Sequence, residues 1–168
     1  MSSAAVLAVQ GSVSAVSAGS ISGLGSVALR AGQNLSIDAG QGSLILTPSQ
    51  ASKLSAGQDL SLRARTGLLK LDGWDGSSVS GTSRASLAAR DLSLQGASVD
   101  LLGAALSARR DLSISATDGS VNITSLDNWV NECGYTNRYL QGAEFTAARH
   151  LRSPRPATSS AKASGPTP

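Results

Sequence analysis

A nine-residue phrase recurs along the chain, and it constrains the fold more than any other feature. LRAGQNLSI at residues 29–37 returns as LSAGQDLSL at 54–62 and as LSARRDLSI at 106–114. A version one residue shorter, LAARDLSL, occupies 87–94, and a broken copy, FTAARHL, occupies 145–151. Self-similarity of this kind indicates stacked structural units, each in contact with its neighbours, rather than one globular core.

A second repeat follows the first and indicates how each unit is built. IDAGQGSLIL (37–46), LRARTGLLKL (62–71) and ISATDGSVNI (114–123) share glycine at the sixth place and aliphatic residues at the first, eighth and tenth. Aliphatic residues two positions apart lie on the same side of a strand. The glycine predicts a turn with positive φ between two short strands. Each unit is therefore expected to run strand, turn, strand, turn.

The predicted fold is all-β, a parallel β-helix in which each strand pairs with its equivalent one coil later. The units recur after about 20 to 25 residues, a spacing in the range of β-helix coils, and Gly or Ser interrupts every window long enough for a helix. Leu60 and Leu112 are expected in one interior ladder. Strands are expected at 27–29, 35–37, 44–46, 60–62, 68–71, 92–94, 99–101, 112–114 and 121–123.

Composition narrows the function classes. Aromatic residues make up only 3% of the 168 residues, so the core is expected to consist of aliphatic ladders. The net charge is +3, with arginines scattered among the repeats, which favours a solvated face over a nucleic-acid footprint. No segment has the apolar length needed to span a membrane. Cys133 and His150 are the only residues of their types, which excludes an intrachain disulfide and argues against metal or catalytic sites built on Cys or His. We expect no metal and no cofactor, and the repeats favour a structural protein over an enzyme.

The chain divides into three parts. Residues 1–124 form the repeat shaft, and 125–151 hold an aromatic-containing insertion and a broken last repeat. Residues 152–168 are rich in Pro, Ser, Ala and basic residues, which predicts a disordered tail. The tail begins in mid-repeat, as an interrupted or frameshifted gene would give, although a linker has the same composition. The first residues lack the basic and apolar regions of a signal peptide.

Two insertions interrupt the repeat, at 72–78 and at 125–141. Both follow the same strand of the unit after similar lead-ins, LDGW and LDNW, so both are expected to be loops that leave the same edge of the rod. They hold most of the aromatic residues, and insertions in solenoids often gather on a binding face. Capping of the rod or local packing is favoured over ligand binding. The candidate surface-binding residues are Trp74, Trp129, Tyr135 and Tyr139.

A row of acidic residues raises an enzymatic alternative. Asp59, Asp91 and Asp111, together with Asn34, occupy equivalent places in successive repeats. Enzymes that cleave polysaccharides use paired carboxylates, which such a row would supply. A turn residue whose side chain accepts hydrogen bonds from local backbone amides is the favoured interpretation.

The two repeats, L-x-A-G-x-D-L-x-L followed by A-x-x-G-x-L-x-L, resemble the haemagglutinin repeats of filamentous haemagglutinin. Similar repeats occur in other two-partner secretion exoproteins, including contact-dependent growth inhibition proteins. The resemblance covers about residues 27–123, with a faint extension to 151. It implies a right-handed parallel β-helix, exported by an outer-membrane partner transporter. It also implies display on a Gram-negative surface, where the shaft serves adhesion, biofilm formation or contact-dependent inhibition against host or neighbouring cells.

The chain has the shaft repeats but no signal peptide, no secretion domain with its Asn-Pro motifs and no toxin domain. We therefore expect a non-enzymatic shaft fragment of a secreted or surface-displayed adhesin-type exoprotein. The alternatives are a β-helical polysaccharide-acting enzyme that uses the aspartates, and a non-functional remnant of a truncated exoprotein gene. As an isolated piece, the chain is expected to self-associate through its uncapped ends.

Overall fold

The computed structural model describes residues 4–8, 10–22, 27–46, 53–72, 86–132, 135–141 and 143–152. These residues form 18 β-strands. They include no helix, and hence none that could cross a membrane.

Three parallel sheets contain sixteen of the strands. Sheet A stacks β1 (Ala4–Ala8), β3 (Val27–Ala31), β6 (Lys53–Ala56), β9 (Ser86–Ala89), β12 (Ala105–Ala108) and β17 (Glu144–Ala147). Sheet B stacks β2 (Val13–Val16), β4 (Leu35–Asp38), β7 (Asp59–Arg63), β10 (Asp91–Gly96), β13 (Asp111–Ala116) and β18 (His150–Arg152). Sheet C stacks β5 (Leu44–Leu46), β8 (Leu68–Asp72), β11 (Ser98–Leu102) and β14 (Val121–Thr124). The remaining two, β15 (Leu126–Glu132) and β16 (Tyr135–Gln141), form an antiparallel hairpin.

The chain winds through sheets A, B and C in turn, and each strand pairs with its equivalent in the next coil. In the shortest coil, Leu87 of β9 pairs with Leu106 of β12, 19 residues further on. The protein is therefore a parallel β-helix, as the repeats predict, and all nine expected strands are confirmed.

The four coils that begin with β3, β6, β9 and β12 have three strands each rather than the expected two, since the repeats predict a sheet-A strand only at 27–29. The second inward position of the later sheet-A strands is alanine, so large aliphatic residues do not alternate there. Ala56, Ala89 and Ala108 are nevertheless buried, with at most 7% of their surface exposed.

The core consists of ladders of inward side chains that continue from coil to coil. Leu35, Leu60, Leu92 and Leu112 pair in succession along sheet B, and each is at most 2% exposed. The predicted ladder that contains Leu60 and Leu112 is thus confirmed. Burial of each leucine stabilises the folded state by about 1.5–3 kcal/mol, whereas ordering the backbone costs about 1–2 kcal/mol per residue. The leucines are buried only when coils stack, so a single coil is not stable by itself.

The repeated glycines have a different role from the one expected. Gly42, Gly67 and Gly119 do not have positive φ; among the described glycines that conformation occurs at Gly40 (φ 38°) and Gly103 (φ 57°). A Cβ on Gly67 would lie 2.5 Å from the carbonyl carbon of Gly42 in the previous coil. The prediction of a positive-φ turn is therefore wrong, and glycine is required because adjacent coils approach too closely for a side chain.

The last repeat is more complete than its sequence suggests. Strand β17 pairs with β12, and β18 pairs with β13 through Asp111–His150 and Leu112–Leu151. The second strand of this repeat, expected to be missing, is present up to Arg152. Residues 153–168 of the predicted tail lie outside the described residues.

Candidate functional surfaces at the corners of the coil

Two corners of the coil differ in how many residues they use. The AB corner, between a sheet-A strand and the next sheet-B strand, is uniformly short from the second coil onward. It holds Arg90 alone between β9 and β10, two residues in three other coils, and three residues (32–34) between β3 and β4. Backbone hydrogen bonds join each of these corners to the next, such as that from Arg110 N–H to the carbonyl of Arg90 (2.8 Å).

The CA corner, between a sheet-C strand and the next sheet-A strand, varies in length. Only Gly103 and Ala104 separate β11 from β12, whereas residues 73–85 separate β8 from β9, and the hairpin lies between β14 and β17. Both predicted insertions begin after a sheet-C strand, β8 or β14, so they start at the same edge of the rod, as expected; residues 73–85 themselves lie outside the described residues.

Three of the four candidate aromatic residues lie on one element at this corner. The second insertion was expected to be a loop, but its residues 126–132 and 135–141 form the β15–β16 hairpin. In this hairpin Trp129 pairs with Arg138, Asn128 with Tyr139, and Glu132 with Tyr135. Trp74, in the other insertion, lies outside the described residues, as does Cys133.

The sequence contained a signal for this hairpin. Two runs rich in the β-favouring residues Trp, Val, Tyr and Thr flank Cys133-Gly134, a pattern typical of a hairpin. The repeats do not predict this hairpin, because they mark the insertion only by the break in their period and not by its own alternation of residues.

The row of aspartates exists, and it lies at the AB corner. Asp59 and Asp91 pair in register, and Asn34 Oδ1 accepts a hydrogen bond from the backbone N–H of Asp59 (3.2 Å). The aspartate carboxylates were expected to accept hydrogen bonds from local backbone amides. Instead, they accept hydrogen bonds from arginine side chains of the same corner. The favoured interpretation of the row as local turn caps is therefore wrong for these three aspartates.

Acidic and basic groups alternate along this corner. Arg90 contacts Asp59 Oδ1 at 3.1 Å and Asp91 Oδ2 at 2.9 Å. Arg110 contacts Asp91 Oδ2 at 2.7 Å and Asp111 Oδ2 at 3.2 Å. We call Asp59, Arg90, Asp91, Arg110 and Asp111 the charge ladder. Each arginine neutralises carboxylates of its own coil and of the coil before.

The arginines determine the protonation of the central carboxylate. Partial burial raises the pKa of Asp91, but hydrogen bonds from Arg90 and Arg110 outweigh this effect and bring the pKa below its ordinary value of 3.8. At the corner between a sheet-B strand and the next sheet-C strand, hydrogen bonds from Arg65 lower the pKa of Asp38, and a hydrogen bond from the backbone N–H of Gly40 acts in the same direction. Both aspartates therefore remain ionised under mildly acidic conditions.

Two open grooves follow the coil stack. One, of about 340 Å³, lies beside the charge ladder over an outward column that includes Ser61, Ser93 and Ser113. The other, of about 730 Å³, crosses sheet A over small residues with Arg30 and Arg109 at its sides. Arg109 Nη2 donates a hydrogen bond to the carbonyl oxygen of Gly57 (2.5 Å), so this guanidinium already ties two coils together.

His150 occupies the ladder position of the last coil. It pairs in register with Asp111, as the repeat predicts, and is exposed. Within the described ranges, no three His, Cys, Asp or Glu side chains come together in a way that could hold a metal ion. Comparisons of the chain with protein-family models, curated proteins and solved structures found no match.

Proposed function

We propose that the chain is a non-enzymatic shaft segment of a large secreted or surface-displayed exoprotein of the filamentous haemagglutinin type. The observation that carries this proposal is the inner ladder of sheet B, which repeats with little change from Leu35 to Leu112. A uniform stack of coils extends in one direction at constant cross-section, which suits a spacer between a cell and its surroundings.

The charge ladder favours this role over that of a polysaccharide-acting enzyme. A general acid for glycoside cleavage needs a carboxyl group with a raised pKa. Asp91 has the opposite environment, because two arginines share its carboxylate and lower its pKa. The alternation of acid and base instead reduces the repulsion between like charges stacked about 4.8 Å apart.

The CA corner supplies the contact face in this proposal. Its insertions lie in the chain between a sheet-C strand and the next sheet-A strand, so they do not interrupt the pairing of those strands from coil to coil. Solenoid proteins often place binding insertions on such a face, and aromatic residues contribute strongly to protein contacts. The partners implied are an outer-membrane transporter during export, and then the surface of a host or neighbouring cell.

The proposal is tested by shearing intact cells that carry the gene and by mass spectrometry of the released proteins. We expect peptides of this chain within a released polypeptide much larger than 168 residues. Recovery only inside the cell as a product of this length would contradict a shaft. Absence of any product would favour a gene remnant.

Binding and catalysis are tested on the purified chain. Trp129→Ala with Tyr139→Ala should weaken adherence to target cells, whereas Ser61→Ala with Ser93→Ala on the outer face of sheet B should not. Neutral and acidic polysaccharides should remain uncleaved, as followed by the appearance of reducing ends. Cleavage that disappears in a folded Asp59→Asn, Asp91→Asn, Asp111→Asn variant would establish the enzymatic alternative instead.

A further inference from the structure

The N-terminal end of the β-helix presents an unprotected strand edge. Strands β1 and β2 are the outermost strands of sheets A and B, each with a strand partner on one side only. Native proteins usually protect such edges with lysines, prolines or bulges. Residues 4–22 contain no charged residue and no proline, and Val16 of β2 is 74% exposed. Within residues 4–22, therefore, neither a charged side chain nor a proline opposes the addition of another strand.

The C-terminal end exposes the inner ladder. Phe145 and Ala147 of β17 are half-buried, although the residues that precede them in the ladder, Leu106 and Ala108, are 1% and 2% exposed. Ile123, on the last strand of sheet C, is 47% exposed at a position equivalent to the buried Leu101. Among the described residues, no further coil covers these side chains, in contrast to the interior ladder positions.

The two ends complement each other in direction and register. All strands of sheets A and B are parallel, so the free side of β17 and β18 has the geometry that β1 and β2 require. In the register of the repeat, position 145 would pair with position 6, and position 151 with position 13. The contact would continue the coil-to-coil interface that recurs throughout the molecule.

Charge selects this arrangement over contact between two C-terminal ends. The last coil contains Arg149, His150 and Arg152 against one acid, Glu144, whereas the first coil is uncharged. Two C-terminal ends would bring like charges together, and a C-terminal end against an N-terminal end would not.

We propose that copies of this chain stack head to tail, with the first coil of one copy on the last coil of the next. Sheets A and B continue across the junction, while the shorter sheet C leaves Ile123 uncovered there. Such a heterologous contact does not close on itself, so it generates open filaments. The inference concerns the 168-residue chain by itself and does not depend on the proposed function; within a longer polypeptide, covalently joined coils would occupy the same two edges.

Sedimentation velocity with end-specific variants tests the direction of stacking. Ala15→Arg places a charge at an exposed inward position of the N-terminal end, and Phe145→Arg places one at a half-buried inward position of the C-terminal end. The unmodified chain should form species beyond the dimer as its concentration rises, while each variant alone should remain monomeric. An equimolar mixture of the two should form a dimer and nothing larger. The intact C-terminal end of the Ala15→Arg variant can bind the intact N-terminal end of the Phe145→Arg variant, and both free ends of that dimer carry an arginine substitution.

Matched controls use the outward positions of the same strands. Ser14→Arg and Thr146→Arg should leave stacking intact, and circular dichroism should confirm the fold of every variant. Ala147→Arg replaces Phe145→Arg should the latter unfold. An unmodified chain that stays monomeric at tens of micromolar would overturn the proposal. So would single variants that dimerise alone, which would reveal contact between like ends, or a mixture of folded variants that stays monomeric.

Discussion

The AB and CA corners belong to the same coils, yet one is nearly constant and the other varies from two residues to a whole hairpin. At the AB corner, backbone hydrogen bonds and the charge ladder connect successive coils. An added residue would therefore separate the backbone donors and acceptors, and the arginines and aspartates, that bind each other across coils. At the CA corner, the chain departs from the stack after a sheet-C strand and returns to a sheet-A strand. An excursion there costs little, because loop-closure entropy rises by only about 0.6 kcal/mol for each doubling of length.

Within one coil, therefore, the residues that stabilise the stack are separate from those that can vary in length and sequence. The inner ladders hold the stack, the AB corner keeps its alignment, and the CA corner is free to carry other sequences. Four measurements test whether the two corners differ in this way.

The largest effect is expected for the inner ladders, which should be equally strong beside both corners. Leu60, next to the AB corner, is 1% exposed, and Leu71, close to the start of the insertion at 73–85, is 0% exposed. Leu60→Ala and Leu71→Ala should each lower the free energy of unfolding by about 2–5 kcal/mol, as measured by urea denaturation. The outward Ser61→Ala should change it by less than about 0.5 kcal/mol. A much smaller cost for Leu71→Ala would mean that the corners differ in packing as well as in length.

The second effect concerns the shortest CA connection. Gly103 has a φ of 57°, a conformation that costs other residues about 1–2 kcal/mol. Gly103→Ala should therefore destabilise the protein by that amount. Gly11, in the first AB corner, has open space around its Cβ position and no positive φ, so Gly11→Ala should be neutral or slightly stabilising. Equal costs at the two glycines would remove this distinction between the corners.

The repeats alone predicted the coil, nine strands and the ladder that contains Leu60 and Leu112. This worked because each inward leucine returns at the same place in every repeat, so its partner can be identified without coordinates. The repeats did not predict most of sheet A, where the small residues Ala56, Ala89 and Ala108 are buried in the core. Alanine is common on surfaces and in cores alike, so its alternation carries little information.

The candidate surfaces were less predictable, for physical reasons. The positions of Asp59 and Asp91 followed from the repeat, but their binding partners did not. Those partners depend on how Arg90 and Arg110 extend between coils, and long side chains have many conformations. Similarly, Gly67 was explained by its own backbone conformation, whereas the decisive contact is with Gly42 in the preceding coil, 25 residues away.

A smaller effect is expected for the charge ladder. Arg110 contacts both Asp91 and Asp111, but its side chain is 45% exposed. Exposed ion pairs contribute about 0.2–1 kcal/mol, so Arg110→Ala should destabilise the protein by no more than about that amount. The loss should shrink in 1 M salt, where the screening length is about 3 Å. Lys53→Ala, which removes a positive charge outside the ladder, is the control. A loss as large as that of Leu60→Ala would show that the ladder, and not the core, aligns the coils.

The smallest effect is the response of the AB corner to acid. Because the pKa of Asp91 is lower in the folded state than its ordinary value of 3.8, the folded protein binds fewer protons at this site than the unfolded chain. The resulting stabilisation is present above about pH 4 and is lost as the pH falls through the lowered pKa. Urea midpoints measured from pH 6 to pH 3 should therefore decline at the acidic end. Asp91→Asn should be less stable at pH 6, and its stability should decline less on acidification, because the amide has no proton to gain.

Asp38 contributes in the same direction through Arg65, so the combined Asp38→Asn, Asp91→Asn variant should have the flattest profile of stability against pH. A decline as steep in that variant as in the unmodified chain would show that other carboxylates control acid stability. The alternation of charges at the AB corner would then serve alignment only.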